Sequence, residues 1–558
     1  MVRDLVLEVS RQAGGAAAYN RLLMALDWLQ RAPELLYRPD SRLSETLREW
    51  SPGLREFFAP MPLPEWVDPA KLQRAARIWQ GNSVSLLFVL FAASLPACYL
   101  LHRGIPALYR TGKLAKREYL AQRLYETGLM VDAVLDEEGL QIVEDHAEGH
   151  EQVMVTALRQ AGLEDAWRWA PERGAFVRRD GAPGAMDEAA RQRLGAVTRT
   201  LVRLTTGRRF LWGRGFLAAR KVRFLHGYVR HMLMHPDPAS GVPPWDEKAL
   251  GLPVNQEDQA YTLLTFGYVM VEALGRLGLR LSLEDREAFL HRWRVVGHVM
   301  GVEDGLMTDR WDQAVALYQT IQAREAGRSP EGQALTSTLV GFLENVIPNR
   351  FNLSRQLPVQ FVGYFLGPQA GLLLAPELEA RRGELPGRLV FLLTRVAVRF
   401  YYLARSFWFR VVPGMPSAVS RELHVLAEEL IESCWSGFER NPFYLPRDLT
   451  TWHRDPAASG DFVRRIRGWQ VRLFDTILLS VVLWVLAGLL FFASVVLAVF
   501  GLWAPAALTG LGGLLSAWGY GVVGQWWVAA IRSQRPVPPD SKAAPARAFR
   551  SHVARHEP

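Results

Sequence analysis

Arg223, His226 and Arg230 stand three and four residues apart in the stretch Gly213 to His235, GRGFLAARKVRFLHGYVRHMLMH. On a helix they share one face, so two guanidinium groups flank one imidazole. Val222, Leu225, Val229 and Met232 repeat with a similar period and form an adjoining apolar stripe. A neutral imidazole in an apolar wall can bind iron, and flanking arginines suit the carboxylates of a haem. The same histidine equally fits a core residue hydrogen-bonded to a backbone carbonyl, and spacing alone leaves both readings open. Gly227 costs roughly 1 kcal/mol relative to alanine in a helix interior, which points to close approach by a bulky neighbour.

Other residues with chemical potential are more scattered. Arg123, Glu126 and Thr127 lie at helical spacing in YLAQRLYETGLMVDAV (119–134), one polar patch on an otherwise apolar helix that reads as a solvated face. Asn255 is placed to cap a helix, with Glu257 and Asp258 in its first turn. Leu263, Phe266, Val269, Met270 and Leu274 follow at core spacing, and the polar run Asn255 to Asp258 leaves a site role open. His291 and His298 are seven residues apart, too far to chelate one ion. His231 and His235 have metal-helix spacing but no third ligand or HExxH glutamate, so they read as a helix end. Cys98 and Cys434 are the two cysteines, without ligand spacing, which argues against a disulfide scaffold or structural zinc and for a reducing compartment.

These residues need a scaffold, and the chain is predominantly helical in pattern, so the expected fold class is all-α. A length of 558 residues calls for more than one unit. The expected organisation is an N-terminal helical region (1–80), a helical domain (81–450) with an acidic insertion (136–196), a transmembrane hairpin (476–531) and a disordered tail (536–558). No signal peptide is evident at the N-terminus. The apolar run 81–101 is long enough to span a membrane, but Pro96 interrupts it. The expectation is a buried core helix, Val84 to Leu95, that the proline ends.

Charged residues make up 22% of the chain, yet none occurs in the 56 positions between Asp475 and Arg532. A span takes roughly 20 residues, so this run fits two spans, about 476–502 and 506–531, turning at Trp503-Ala504-Pro505. Gly513, Ala517 and Gly521 suit close helix packing, and Trp469, Trp526 and Trp527 suit the membrane interfaces. Arg464, Arg465, Arg467 and Arg472 precede the run and Arg532, Arg535 and Lys542 follow it, which places both ends in the cytoplasm. The net charge of +9 is dispersed, so it suits membrane headgroups or an anionic cofactor at least as well as nucleic acid, and no nucleic-acid partner is expected.

Five stretches, in order, resemble the MpaB-type oxygenases, whose group includes the latex-clearing (rubber) oxygenases. They are ASLPACY (93–99), RLYET (123–127), VRFLHGYVR (222–230), PVNQEDQAYTLLTF (253–266) and WRVVGHVMG (293–301). The resemblance implies a helical haem b domain in which His226 is the proximal iron ligand and the Arg123–Thr127 helix crosses the distal side. With it, Arg223 and Arg230 are expected to support the haem or the fold, and Arg123, Glu126 and Thr127 to be catalytic, with dioxygen and a lipid-soluble, isoprenoid-like molecule as substrates. Rubber-cleaving relatives carry Arg-x-x-Lys-Thr where this chain has Glu126 in place of the lysine. A carboxylate there acts as a general base or pairs with Arg123. Two functions therefore stand: a membrane-anchored oxygenase facing the cytoplasm, or a non-catalytic haem-binding sensor. A helical scaffold without haem requires the five matches to be accidental.

Overall fold

The computed structural model describes residues 2–11, 52–110, 117–144, 150–170, 175–180, 186–205, 209–236, 238, 243–346, 356–411, 460–522, 530 and 533–534. The N-terminal half contains α1 (Val2–Arg11), α2 (Pro52–Phe58), α3 (Pro69–Val89), α4 (Leu95–Cys98), α5 (Ile105–Arg110), α6 (Arg117–Leu135), α7 (His150–Gln160), α8 (Glu188–Thr205) and α9 (Arg214–Met234). Then come α10 (Glu247–Leu250), α11 (Gln256–Leu264), α12 (Met270–Leu277), α13 (Leu283–Met300), α14 (Trp311–Glu325), α15 (Pro330–Val346), α16 (Leu357–Leu366), α17 (Ala370–Leu373), α18 (Pro376–Gly383), α19 (Leu385–Val411), α20 (Gly460–Val499) and α21 (Trp503–Val522). Short strands β1 (Met61–Pro62), β2 (Gln141–Glu144), β3 (Trp167–Ala170), β4 (Ala175–Arg178) and β5 (Arg209–Trp212) interrupt them.

The all-α expectation is thus corrected to a mostly helical fold with two small antiparallel sheets. One has the order β1-β5-β2, pairing Leu211 with both Met61 and Ile142; the other is the β3–β4 ladder. Strands of two to four residues are too short for alternation to stand out from helical neighbours. The segment expected as an acidic insertion contains α7, β3, β4 and the first half of α8. It has its own apolar cluster of Ala157, Leu158, Ala161, Leu163, Ala190, Leu194 and Val197, while β2 belongs to the larger sheet.

Helices α3, α9 and α13 meet around Trp79, Phe216, Phe224, Trp293 and Val296, all essentially buried. Local signals start these helices. The Asp68 carboxylate accepts from the Ala70 and Lys71 N–H groups ahead of α3, and Ser282 and Asp285 form a reciprocal capping box on α13. Of the described residues, Pro69–Cys98 is the stretch long and apolar enough to cross a membrane, but 78% of its apolar window is buried inside the protein. The core reading therefore holds, but not its expected end. The chain passes through a π turn, Leu90–Ser94, and Pro96 occupies the first turn of α4, where a missing N–H costs little.

Arg292 on α13 ties three elements together from a fully buried position. Its guanidinium donates to the carbonyls of Val134 at 2.6 Å, Leu72 at 2.8 Å and Asp136. A second joint sets α9 against α6. Gly213 has φ +124° at the start of α9, a region open to glycine. The Gly215 and Phe216 N–H groups both donate to the Gly139 carbonyl, at 2.8 and 3.1 Å. A Cβ on Gly215 would meet the Ala133 carbonyl and lie 2.7 Å from Val134 Cα, all backbone that cannot rotate away. Beside it Arg214 Nη2 reaches Asp136 Oδ2 at 2.8 Å. Gly215→Ala is therefore expected to lose about 3 kcal/mol or more, the upper range for overpacking. Thermal unfolding checks this, and an unchanged melting temperature would show that the joint can open.

The C-terminal helices α20 and α21 pack along each other as a hairpin. The turn lies at residues 500–502, with Gly501 at φ +74°, and the expected turn residues Trp503 to Pro505 instead open α21. Gly513 is buried against the α20 backbone, and a Cβ there would lie 3.2 Å from the Ala487 carbonyl. Among the described residues the hairpin's apolar stretch is Leu486–Val499, shorter than a full span. The side chains of Arg464, Arg465 and Arg467, and Arg532, Arg535, Lys542 and the tail 536–558, lie outside the described residues.

Candidate active site

α9 carries His226 into a cavity of about 340 Å³ that its neighbour α6 also lines. Leu124, Thr127 and Met130 line it from α6, and Val222, Leu225 and Val229 from α9. Leu263 and Phe266 close another side, with Cys98 and Tyr99. Gly227 faces away from this space: a Cβ there would lie 2.8 Å from Val2 Cγ1, so the bulky neighbour expected from sequence is α1.

Gln259 on α11 fixes the state of the imidazole. Its amide nitrogen donates to the carbonyls of Val254 at 3.2 Å and Asn255 at 3.3 Å, so its Oε1 is the atom left to face His226. That oxygen lies 3.3 Å from His226 Nδ1. Nδ1 therefore carries the proton and donates, leaving the Nε2 lone pair unclaimed. Burial pushes the imidazole down to about 4, so it is neutral at physiological pH, and its remaining exposure is to the cavity. Among the described residues no three His, Cys, Asp or Glu side chains cluster as a metal site.

The flanking arginines reach elsewhere. Arg230 donates to the carbonyls of Pro253, at 2.9 Å, and Val254. Val254 is held at φ +54°, a strained value for a β-branched residue, in the cavity wall just ahead of α11. Arg230 therefore buttresses the turn that positions Gln259. Arg223 Nη1 lies 3.4 Å from the Val299 carbonyl, its guanidinium packed on Gly301 and over Phe57. Burial lowers the pKa of both, and neither lines the cavity. Thr127 lines it; the side chains of Arg123 and Glu126, on the same helix, lie outside the described residues.

Sequence reasoning placed Asn255 correctly as the α11 cap, accepting from Asp258 N–H at 2.8 Å, but did not single out Gln259 as the partner of His226. The uninterrupted polar run beside it was the available signal. The other histidines stay away from the cavity lining: His291 and His298 pack edge-on against Trp66 and bond Asp309 and Asp304, while the His231 and His235 rings meet at the end of α9.

Asp258 also lines the cavity, its carboxylate accepting from Asn255 Nδ2 at 2.9 Å. Burial, then the Glu325 carboxylate, push it up to about 6. Its folded value lies above its unfolded value near 3.9, so it favours the folded state below about pH 4 and that contribution is lost as pH rises through about 6. His226, shifted down, has the opposite slope across nearly the same window. Comparison with Asp258→Asn separates the two. Between pH 4 and 7 the unsubstituted protein is expected to lose on the order of 1–2 kcal/mol relative to the variant. Parallel melting-temperature profiles would refute this.

The fold and cavity define a mostly helical domain built around one neutral histidine in an apolar pocket. Residues 149–400 match the family described as ER-bound oxygenase mpaB/B'/Rubber oxygenase, catalytic domain. Over that segment the chain is similar to the MpaB/rubber oxygenase family. The matched segment includes His226 and three of the five stretches quoted above; those at 93–99 and 123–127 precede it. The rubber oxygenase of Streptomyces sp. (strain K30) is 32% identical over 161 residues, which are 28% of this chain and 37% of that protein. The chain therefore matches little over a third of this relative's length. A solved structure of latex clearing protein LCP in the closed state is 19% identical, covering 74% of this chain and 87% of that one at a TM-score of 0.39.

Proposed function

We propose that this protein is a haem b-dependent oxygenase, anchored to a membrane by the α20–α21 hairpin, that oxidises or cleaves a hydrophobic, unsaturated, isoprenoid-like molecule. The observation that carries the reading is the unclaimed Nε2 of a neutral His226 facing an apolar cavity. His226 would hold the iron, and a bound haem would supply the chemistry that activates dioxygen. The protein's own residues do the rest. Gln259 orients the imidazole and keeps its proton on Nδ1. Leu124, Val222, Leu225 and Leu263 exclude water and accept an apolar chain. Arg123 and Thr127 offer hydrogen bonds to dioxygen entering from the α6 side, and Glu126 takes or gives a proton there. Arg223 and Arg230 support the cofactor or, through the backbone carbonyls they bind, the walls around it. Both ends of the hairpin are assigned to the cytoplasm, so the domain meets bilayer-dissolved substrate from that side.

Incubating the haem-loaded protein with dioxygen and polyprenols or unsaturated lipids should give carbonyl products. A protein showing no Soret band after reconstitution with haemin would overturn the reading. Glu126, where rubber-cleaving relatives carry lysine, supports a second one, a membrane-anchored haem sensor. A Soret band without turnover across a broad panel would select it. A reporter fused after Pro558 that reads periplasmic would reverse the assigned orientation.

A further inference from the structure

α19 buries one face and exposes an apolar one. On its inner side Tyr402 and Arg405 are buried, with the Tyr402 hydroxyl donating to Ser85 Oγ at 2.6 Å and Arg405 donating to the Gly81 carbonyl and Asn82 Oδ1. Phe391, Val398 and Tyr401 pack on the main core. On the opposite side Leu385, Leu389, Leu392, Leu393, Val396 and Leu403 are 53–77% exposed. At 3.6 residues per turn these six fall in one stripe. A helix docked on the core of a water-soluble protein turns polar side chains outward; α19 turns leucines. Arg388, Arg399 and Arg410, all exposed and eleven residues apart, run three turns from one to the next along a single border of the stripe. α19 contains five arginines and no acidic residue.

What covers this stripe is indicated by its neighbour. α19 packs against α20, whose own outward positions Leu479, Val482, Leu486 and Leu489 are exposed. We propose that α19 is an interfacial membrane helix: its leucine stripe lies among the acyl chains of one leaflet, and Arg388, Arg399 and Arg410 reach the lipid phosphates. An apolar face bordered by arginines is the pattern that holds a helix at the headgroup boundary, with long cationic side chains extending to the phosphates. The proposal rests on the membrane reading of the hairpin and adds a second contact, which would hold the domain down on the bilayer rather than on a tether.

The test uses the full chain in a Cys98→Ser, Cys434→Ser background with Leu393→Cys or Leu486→Cys carrying an NBD fluorophore. Both proteins are reconstituted into phosphatidylcholine vesicles with about one-third phosphatidylglycerol and doxyl-labelled lipids. Both labels should be quenched, Leu393→Cys most by a doxyl group near the headgroup and Leu486→Cys by one deep in the chain. Exchanging Arg388, Arg399 and Arg410 together for glutamate should reduce quenching at position 393 by about twofold or more, leaving 486 unchanged. Quenching at 486 but not 393 overturns the α19 proposal and leaves the hairpin in the membrane. Quenching at neither removes both. A label at 393 already shielded in lipid-free detergent, increasingly so with protein concentration, would show that a second copy covers the stripe and would also overturn it.

Discussion

His226→Ala is expected to yield a folded protein that takes up no haem: after reconstitution with haemin and gel filtration, the Soret band is absent and oxygenase turnover with it. The fold should survive because the imidazole makes one 3.3 Å contact, to Gln259, and otherwise faces the cavity. Removing it enlarges a space that already exists. Gln259→Leu provides the graded counterpart, keeping the ligand but losing the acceptor that holds the proton on Nδ1. Loss of such a supporting partner typically weakens metal binding 10–100-fold, so this variant should show the band at raised haemin concentration. A normal Soret band in His226→Ala would place the cofactor on another ligand and overturn the assignment.

The largest expected effect on stability comes from Arg292→Leu. The guanidinium is almost wholly buried, and burial pushes it down to about 9, which still leaves it charged at neutral pH. It donates to three carbonyls on two segments, Leu72 in α3 and Val134 and Asp136 at the end of α6. Leucine would leave all three without this donor in a site water does not reach. Each hydrogen bond from a charged group is worth about 1.5–3 kcal/mol, and breaking a buried charged network typically costs 3–5 kcal/mol. Arg292→Leu should therefore show a melting temperature many degrees lower, or fail to accumulate folded. Arg292→Lys, reaching fewer of the carbonyls, should fall between. A melting temperature within a degree or two of the unsubstituted protein would show that other groups satisfy these carbonyls.

Much of this architecture was readable in advance because it is local. The cap of α11, the core character of the Val84 to Leu95 stretch and the helix bearing His226 all follow from spacing and from residues that satisfy helix ends. What escaped is tertiary. Gln259 meets His226 across 33 positions, and nothing in periodicity marks one polar residue in a capping run as the one that turns inward. Arg223 and Arg230 share the histidine's face, as their spacing requires, yet their long side chains travel past the cavity to backbone carbonyls. Arg292 sits within FLHRWR, where its burial has no sequence signature at all. The short strands and the turn at residues 500–502 were missed for a different reason: a few residues carry too little pattern to locate a boundary.

The glycine joint between α6 and α9 has a consequence for how such a protein can diversify. The two helices are pinned where backbone touches backbone, at Ala133, Val134 and Gly139 on one side and Gly213 and Gly215 on the other. The Arg214–Asp136 ion pair braces the joint from beside it, but the contact itself is backbone on backbone, so ordinary substitutions cannot shim the gap wider or narrower at that end. The spacing of the helices acts as a fixed gauge, while Leu124, Val222, Leu225 and Leu263 shape the cavity within it. On the function proposed above, substrate preference can drift through lining residues alone, and libraries aimed at new substrates belong at those four positions, with the glycines left untouched.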